Sequence, residues 1–450
     1  MAKTLTNYSC TDCGARSPVA LGRCPRCGTW GSMQAMSEGK QGSKKQERLL
    51  QGLELEPLSA ISEQQLARQA SGIAEIDRVL GGGWVAGAVV LLSGEPGIGK
   101  STLLLQLANY AAEHQDVLYV AGEESLAQVK MRAQRLAIGD NSKRDIVMTR
   151  ETNAQVLAEH ISSSKPSFCI VDSIQTLLAD GEGTPGSISQ VRDASALLSR
   201  AAKEVGSTLV LIGHITKQGS VAGPKVIEHM VDATMSIESA SGYRVLRSIK
   251  NRFGAAGEVA VFEMTANGMQ SVDNPSEAFL AERPKGVPGS VIVASLEGQR
   301  PLLLEVQALA AKSPYAQPRR TVQGLDSRRV DVVLAVLERR LELPLAGLDI
   351  YVNVAGGLRL TDPGVDLAIA LAVYSAVTNR PVPEGTVVTG EIGLAGELRR
   401  VPQLGRRVQE VAKAKFQRFI GPPLDEAFQT PSITSLNFNR LAEALNAAFP

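Results

Sequence analysis

Between Ile73 and about Asp273, short apolar runs alternate with amphipathic stretches: AVVLLSG, a helical pattern from Lys100, DVLYVAG, a helix, FCIVDSI, a helix, and STLVLIG. Apolar runs this short, rich in β-branched residues and separated by segments of helical period, read as buried strands joined by helices. They predict an α/β core built on a largely parallel sheet. After NPSEAF at 274–279 a second series begins: GSVIVASLEG, PLLLEVQALAA, a helix near 329–342, DIYVNVAGG, and a helix at 366–377. TVVTGEIGLAGELRRV, another helix, FQRFIG and a terminal helix complete it. The expected organisation is a small module at 1–31, a polar linker at 32–58, a first α/β domain at 59–273 and a second at 274–450. Pro275, Pro284 and Pro288 mark the border between the two larger domains.

Composition narrows the class. With 450 residues, 44% apolar and 21% charged, the chain reads as a soluble multidomain protein. Its formal charge of +1 means that any nucleic-acid binding must come from local patches. The first 50 residues supply one, with eight basic side chains against three acidic. No apolar run approaches the roughly 20 residues of a membrane span, and Lys3 is followed by no apolar export segment. A cytoplasmic protein without membrane contact is expected. Of five cysteines, four form two tight pairs and Cys169 lies in an apolar strand, a pattern that suggests metal and not disulfides.

Gly94-Glu95-Pro96-Gly97-Ile98-Gly99-Lys100-Ser101 fits GxxxxGK[ST] and sits between an apolar strand and a helix, the context the motif requires. Its backbone amides and the helix start, with Thr102 just inside, would cradle the phosphates of ATP; Lys100 would neutralise β and γ oxygens and Ser101 would hold Mg2+. Asp172 closes FCIVDS at the carboxyl end of a buried strand, where a magnesium-water ligand belongs. Glu123 and Glu124 follow VLYVAG at a neighbouring strand end, where a base could polarise the attacking water. The pattern alone does not choose between them.

Cys10-x2-Cys13 and Cys24-x2-Cys27 each precede a glycine, Gly14 and Gly28. Four thiolates so paired can close a tetrahedral zinc site of structural type, with glycine letting backbone amides point at sulfur. Arg16, Arg23, Arg26 and Trp30 around it could meet a nucleic acid or a partner protein, or simply face solvent.

The four-cysteine knuckle, SGEPGIGKST, YVAGEES and Lys250-Asn251-Arg252-Phe253-Gly254 occur in this order. Together they closely resemble the bacterial RadA (Sms) family of DNA repair and recombination proteins, over essentially the whole chain. The resemblance implies a RecA-like P-loop ATPase core, with Glu123 as catalytic glutamate. It implies a hexameric ring that loads on single-stranded DNA, works beside a RecA-type recombinase and drives branch migration through branched DNA. His214 matches the position that senses the γ-phosphate and relays its state to the following loop, where Lys217 and Lys225 would meet DNA phosphates. Lys250 and Arg252 look like cations inserted into the neighbouring subunit's nucleotide site; in-chain DNA contacts or surface charge are the alternatives.

The second domain resembles the proteolytic domain of Lon, in TDPGVDLAIALAVYSA at 361–376 and TGEIGLAGELRRV at 389–401. Where that family carries its serine nucleophile Pro363 is followed by Gly364, and ungapped counting to its lysine reaches Gly405. An inactive protease scaffold is expected. Its arginine doublets, 319–320, 328–329, 399–400 and 406–407, suit phosphate contacts or subunit-interface salt bridges. The leading expectation is a DNA-dependent ATPase motor of recombinational repair. A nucleotide-switched adaptor for a recombinase or helicase is the alternative, and an ATP-dependent protease a distant third.

Overall fold

The computed structural model describes residues 8–11, 14–35, 68–139, 143–179, 184–214, 226–240, 242–315, 317–428 and 430–449. The chain divides into two compact units, Met1–Glu63 and Gln64–Pro450. In the first, the short strands Tyr8–Cys10, Arg16–Ser17 and Met33–Ala35 form an antiparallel sheet with Tyr8–Cys10 in the middle.

The second unit holds two large sheets. Nine strands make the first: β1 (Val89–Gly94), β2 (Val117–Ala121), β3 (Ile146–Thr149), β4 (Phe168–Asp172), β5 (Thr208–His214), β6 (Ala233–Ala240), β7 (Tyr243–Asn251), β8 (Val259–Thr265) and β9 (Gly268–Ser271). Their order is β9-β8-β7-β6-β1-β5-β4-β2-β3. The six strands from β6 to β3 run parallel, and β7, β8 and β9 add antiparallel. Val90 and Leu92 enter one core and Val89 and Leu91 the other. Strand side chains alternate faces, so an unbroken apolar run fits only a strand covered on both sides. Helices α1 (Lys100–Ala112), α2 (Leu126–Arg135), α3 (Ala154–Ser164) and α4 (Ile188–Val205) provide the connections.

Seven strands make the second sheet: β10 (Ser290–Glu297), β11 (Arg300–Lys312), β12 (Arg320–Gln323), β13 (Leu348–Val354), β14 (Thr386–Val388), β15 (Arg418–Gly421) and β16 (Thr434–Asn437), in the order β12-β13-β11-β10-β14-β15-β16. Helix α5 (Ser327–Leu341) packs its apolar stripe inward, whereas α6 (Asp366–Thr378) is buried on all sides, as its almost uniformly apolar sequence dictates. The two sheets share a core: Ala240, Val245, Val259 and Val261 belong to the same cluster as Val291, Val293 and Leu304. Ion pairs Arg247–Glu297 and Arg300–Glu75 cross the same border. Among the described residues no helix is long and apolar enough to cross a membrane.

The arginine doublets, expected to meet phosphates or a neighbouring subunit, include members committed to partners within their own domain. Helix α7 (Leu404–Lys413) turns about 100° per residue, so Arg406 faces solvent while Arg407 is 0% exposed. Arg407 forms a bidentate pair with Asp362 and donates to the carbonyls of Ala294 (2.7 Å) and Pro402 (3.1 Å). Asp362 also accepts from the Leu296 amide at 2.9 Å. Arg329 is likewise committed, to both oxygens of Asp366 at 2.8 and 2.9 Å. The ion pair lies where the Lon-like dyad would be. A Cβ at Gly364 would sit 2.6 Å from Thr389 Oγ1 and 2.9 Å from Arg407, and one at Gly405 would enter the Phe428 ring at 2.4 Å.

Removing one partner of a fully buried ion pair leaves an uncompensated charge, so Arg407→Ala should lose about 3–5 kcal/mol of stability. Arg406→Ala, one residue away and exposed, should change stability by less than about 0.5 kcal/mol. Denaturant unfolding of the two full-length variants checks the contrast, and equal effects would contradict it.

Candidate active site

The carboxyl ends of β1, β2, β4 and β5 lie side by side and carry the expected site residues. Register explains the grouping: His214 at the end of β5 is level with Gly94 at the end of β1, and Asp172 at the end of β4 is level with Ala121 at the end of β2. A parallel sheet delivers all its strand ends to one rim, where the crevice forms.

The loop Gly94–Gly99 turns from β1 into α1. Gly99 caps the helix at φ +114°, and a Cβ there would lie 2.5 Å from Met264 Cε, so only glycine fits. Glu95, Pro96 and Gly97 are exposed, and Ile98 is buried. Arg244, from β7, braces the loop by donating Nε to the Ile98 carbonyl at 3.0 Å, a contact with no signal in the sequence pattern. The first amides of α1, those of Lys100, Ser101 and Thr102, have no partner within a helix and carry the positive end of its dipole.

Lys100 is 3% exposed. Its ammonium donates to the carbonyls of Gly94 and Glu95, both at 2.9 Å, and to Nδ1 of His214 at 3.1 Å. An ammonium has no lone pair, so this contact makes Nδ1 the acceptor and places the imidazole proton on Nε2. That nitrogen faces the Glu123 carboxylate, 2.9 Å from Oε1 and 3.1 Å from Oε2. The Ser173 hydroxyl donates to Glu123 as well. The His214 bond first, then Ser173, hold the Glu123 carboxyl below its ordinary range against the opposing effect of burial. Burial lowers the Lys100 pKa, opposed by Asp172 and Glu123.

Glu124 takes a different course. Its carboxylate pairs with Arg132 of α2 at 2.5 Å. Two and three residues beyond the end of β2, the two carboxylates diverge, and it is Glu123 that meets His214, the partner of Lys100. The approach depends on Gly122, where a Cβ would sit 2.0 Å from Thr176 Oγ1.

Asp172 is buried and accepts hydrogen bonds from Tyr119 Oη, at 2.9 Å, and from the Ser101 side chain. Burial raises its pKa, partly offset by those two bonds. The Ser101–Asp172 contact brings together the hydroxyl and carboxylate expected to hold magnesium, so the donor set fits a hard cation.

Lys250 and Arg252 lie elsewhere. Asn251 is level with Ala233, which is level with Val90, four residues before the loop begins. At 3.3 Å per residue the backbone of this segment lies about 10 Å (Lys250) or more towards the amino end of the sheet. Lys250 donates to the carbonyls of Glu228 (2.7 Å) and Val231 (2.8 Å), and Arg252 pairs with Asp232 at 3.2 Å. They are not part of their own chain's phosphate site. Lys217, Lys225 and Cys13 fall outside the described residues.

In the N-terminal unit the sulfurs of Cys10, Cys24 and Cys27 all lie within 4.8 Å of one another. Around a tetrahedral zinc with bonds of 2.3 Å, sulfurs are spaced about 3.8 Å apart, so the three fit that ion. The two turns match: the amide of Gly14 donates to the Cys10 carbonyl and that of Gly28 to the Cys24 carbonyl, each at 3.0 Å. These glycine amides close the turns. The Arg26 amide points at sulfur, 3.4 Å from Cys24 Sγ. Trp30 is exposed, while Arg23 is bound to the Gly28 carbonyl at 2.7 Å.

Family models match three segments: KaiC ATPase over residues 69–270, a rubredoxin metal-binding domain over 8–35, and subunit ChlI of Mg-chelatase over 317–425. Full-length relatives are named DNA repair protein RadA. That of Halalkalibacterium halodurans is 43% identical over 429 residues, covering 94% of this chain and 93% of the relative. Those of Pseudomonas aeruginosa (42%) and Bacillus subtilis (41%) cover 100% of this chain and 100% and 99% of their own.

The N-terminal unit should carry one zinc ion per chain. Mercurial titration with a chromogenic zinc indicator should release it, and Cys24→Ser should lower the metal content by more than half. An unchanged zinc content in that variant would remove Cys24 from the ligand set.

Proposed function

The chain belongs to the RadA family of DNA repair proteins and its core is a RecA/KaiC-like P-loop ATPase; we propose that it is a DNA-dependent ATPase of recombinational repair, a ring-forming motor on single-stranded and branched DNA. The observation that carries this reading is the hydrogen-bonded chain from Lys100 through His214 to Glu123 at the carboxyl rim of the sheet.

The loop amides and Lys100 bind and orient the phosphates of ATP. Magnesium, when bound through Ser101 and Asp172, supplies charge neutralisation at the β and γ oxygens. Glu123, kept ionised by His214 and Ser173, accepts the proton of the attacking water. His214 touches both the phosphate-binding lysine and the base, and it is the last residue of β5 before the loop that would carry Lys217 and Lys225 to DNA. A change at the γ-phosphate is therefore one side chain away from that loop.

Lys250 and Arg252 are too far from their own loop to serve it, which favours a neighbouring subunit's nucleotide as their target and a ring, hexameric, as the working form. The zinc module would recruit DNA or a RecA-type recombinase. The C-terminal domain, with Gly364 and Gly405 hemmed in by Thr389, Arg407 and Phe428, is read as a scaffold without protease chemistry. A cytoplasmic location fits this role.

Single-stranded DNA should raise ATP turnover several-fold; no stimulation would remove the motor reading and leave the nucleotide-switched adaptor. Glu123→Gln should cut turnover by about 10²–10⁴ while nucleotide still binds. Glu124→Gln should stay within about threefold of wild type, because its carboxylate is engaged with Arg132. Mixing Lys100→Ala chains with Lys250→Ala chains should restore part of the activity each lacks alone, since some interfaces then pair an intact loop with an intact cation. Failure to complement would place Lys250 outside the neighbour's site.

A further inference from the structure

Each carboxylate of the site accepts from a buried hydroxyl that the reaction scheme above uses only in passing or not at all. Asp172 takes Tyr119 Oη, and Glu123 takes Ser173 Oγ. Both donors are 0% exposed.

Strand register sets the first contact. Ala121 lies directly beside Asp172, and Tyr119 is two residues before Ala121 on the same strand face. That diagonal spacing of roughly 7–8 Å is within reach of an aromatic side chain and not of a short one. The ring packs in the apolar cluster with Phe168 and Ile170, which fixes where the hydroxyl can go. Tyr119 Oη lies on Oδ2 of Asp172, and the Ser101 hydroxyl also contacts the carboxylate. A buried carboxylate held by two donors has one orientation; deprived of one, it can turn.

The second contact is set by the turn after β4. Thr176 donates its hydroxyl to the Ser173 carbonyl at 2.8 Å, which fixes the turn. Gly122 then lets the end of β2 close on that turn, so that Glu123 arrives beside Ser173. Ser173 and His214 approach the Glu123 carboxylate together.

We propose that Tyr119 and Ser173 are positioning residues with separate duties: Tyr119 orients Asp172 for the divalent cation, and Ser173 orients Glu123 for the water. Neither touches the reacting atoms. The assignment rests on the reading of Asp172 and Glu123 given above, and it predicts that the two hydroxyls are dissociable in experiment.

The test uses full-length Tyr119→Phe and Ser173→Ala. Binding of Mn2+ to each protein in the presence of a non-hydrolysable ATP analogue is followed by the electron-paramagnetic-resonance signal of free Mn2+, beside the Mg2+ dependence of ATP turnover. Loss of a group that orients a metal ligand costs about 10–100-fold in metal affinity. Tyr119→Phe should weaken Mn2+ binding and raise the Mg2+ half-saturation by about tenfold, with kcat at saturating Mg2+ within about threefold of wild type. Ser173→Ala should leave Mn2+ binding unchanged and lower kcat by about tenfold or more. Mn2+ affinity within about twofold of wild type in Tyr119→Phe, or weakened equally in both variants, would overturn the division of duties. Should Tyr119→Phe fail to fold, the Ser173→Ala arm still decides: weakened Mn2+ binding there refutes the assignment. Wild-type turnover independent of divalent cation, or an active Glu123→Gln protein, would instead overturn the reading of the site itself.

Discussion

A buried ammonium must be hydrogen-bonded, and that requirement at Lys100 organises the site. Its donors go to two loop carbonyls and to His214 Nδ1. Because the ammonium can only donate, the imidazole must accept on that side and donate on the other. The proton on Nε2 then faces Glu123 and favours its ionised form. One desolvated charge thus sets the His214 tautomer and, through it, favours the ionised Glu123 carboxylate. The arrangement has no slack, because an unpaired member would leave a charge or a polar atom poorly solvated at its expense.

The sheet separates two halves of the proposed chemistry. Strands β1, β2, β4 and β5 bring loop, base, Asp172 and His214 to their carboxyl ends. The antiparallel hairpin β6–β7 carries the chain back to the other end before Lys250 and Arg252 emerge. There Asp232 holds the segment by accepting from the Val89 amide, Lys203 and Arg252. The sheet therefore carries the phosphate loop at one end and these cations at the other. Lys250 is anchored on carbonyls of the segment Glu228–Val231, so any force on those cations acts directly on the backbone that follows the expected DNA loop.

What was legible in the sequence was local. The phosphate loop, its strand and its helix form one contiguous signal, and Asp172 is announced by the apolar run that precedes it. Glu123 and Glu124 are the same residue type at successive positions, and only their tertiary partners, His214 for the first and Arg132 for the second, separate them. Tyr119 sits in VLYVA and reads as core; nothing in its neighbourhood reveals that a diagonal strand partner ends in a carboxylate. Arg244 braces the phosphate loop from a strand nearly 150 residues away, a contact that no spacing rule anticipates. The doublet at 406–407 suggests phosphate contacts or interface salt bridges for both arginines, but Arg407 is turned into its own domain and paired with Asp362, a partner 45 residues away that no spacing rule reveals.

Arg407 also fills the region of the C-terminal domain where the resemblance to Lon would place a serine–lysine dyad. A serine–lysine dyad needs a lysine close to a nucleophile and space for substrate. Here the equivalent volume holds a guanidinium whose donors are taken by Asp362 and two carbonyls. That pair ties α7 to β10 through Ala294 and, through Asp362, to the Leu296 amide, fastening a helix to a strand in the middle of the second sheet. Because β10 belongs to the cluster that also buries Val245 and Val261 of the ATPase sheet, the pinned region is continuous with the core of the ATPase. The two sheets thus fall within one compact unit joined by a common core.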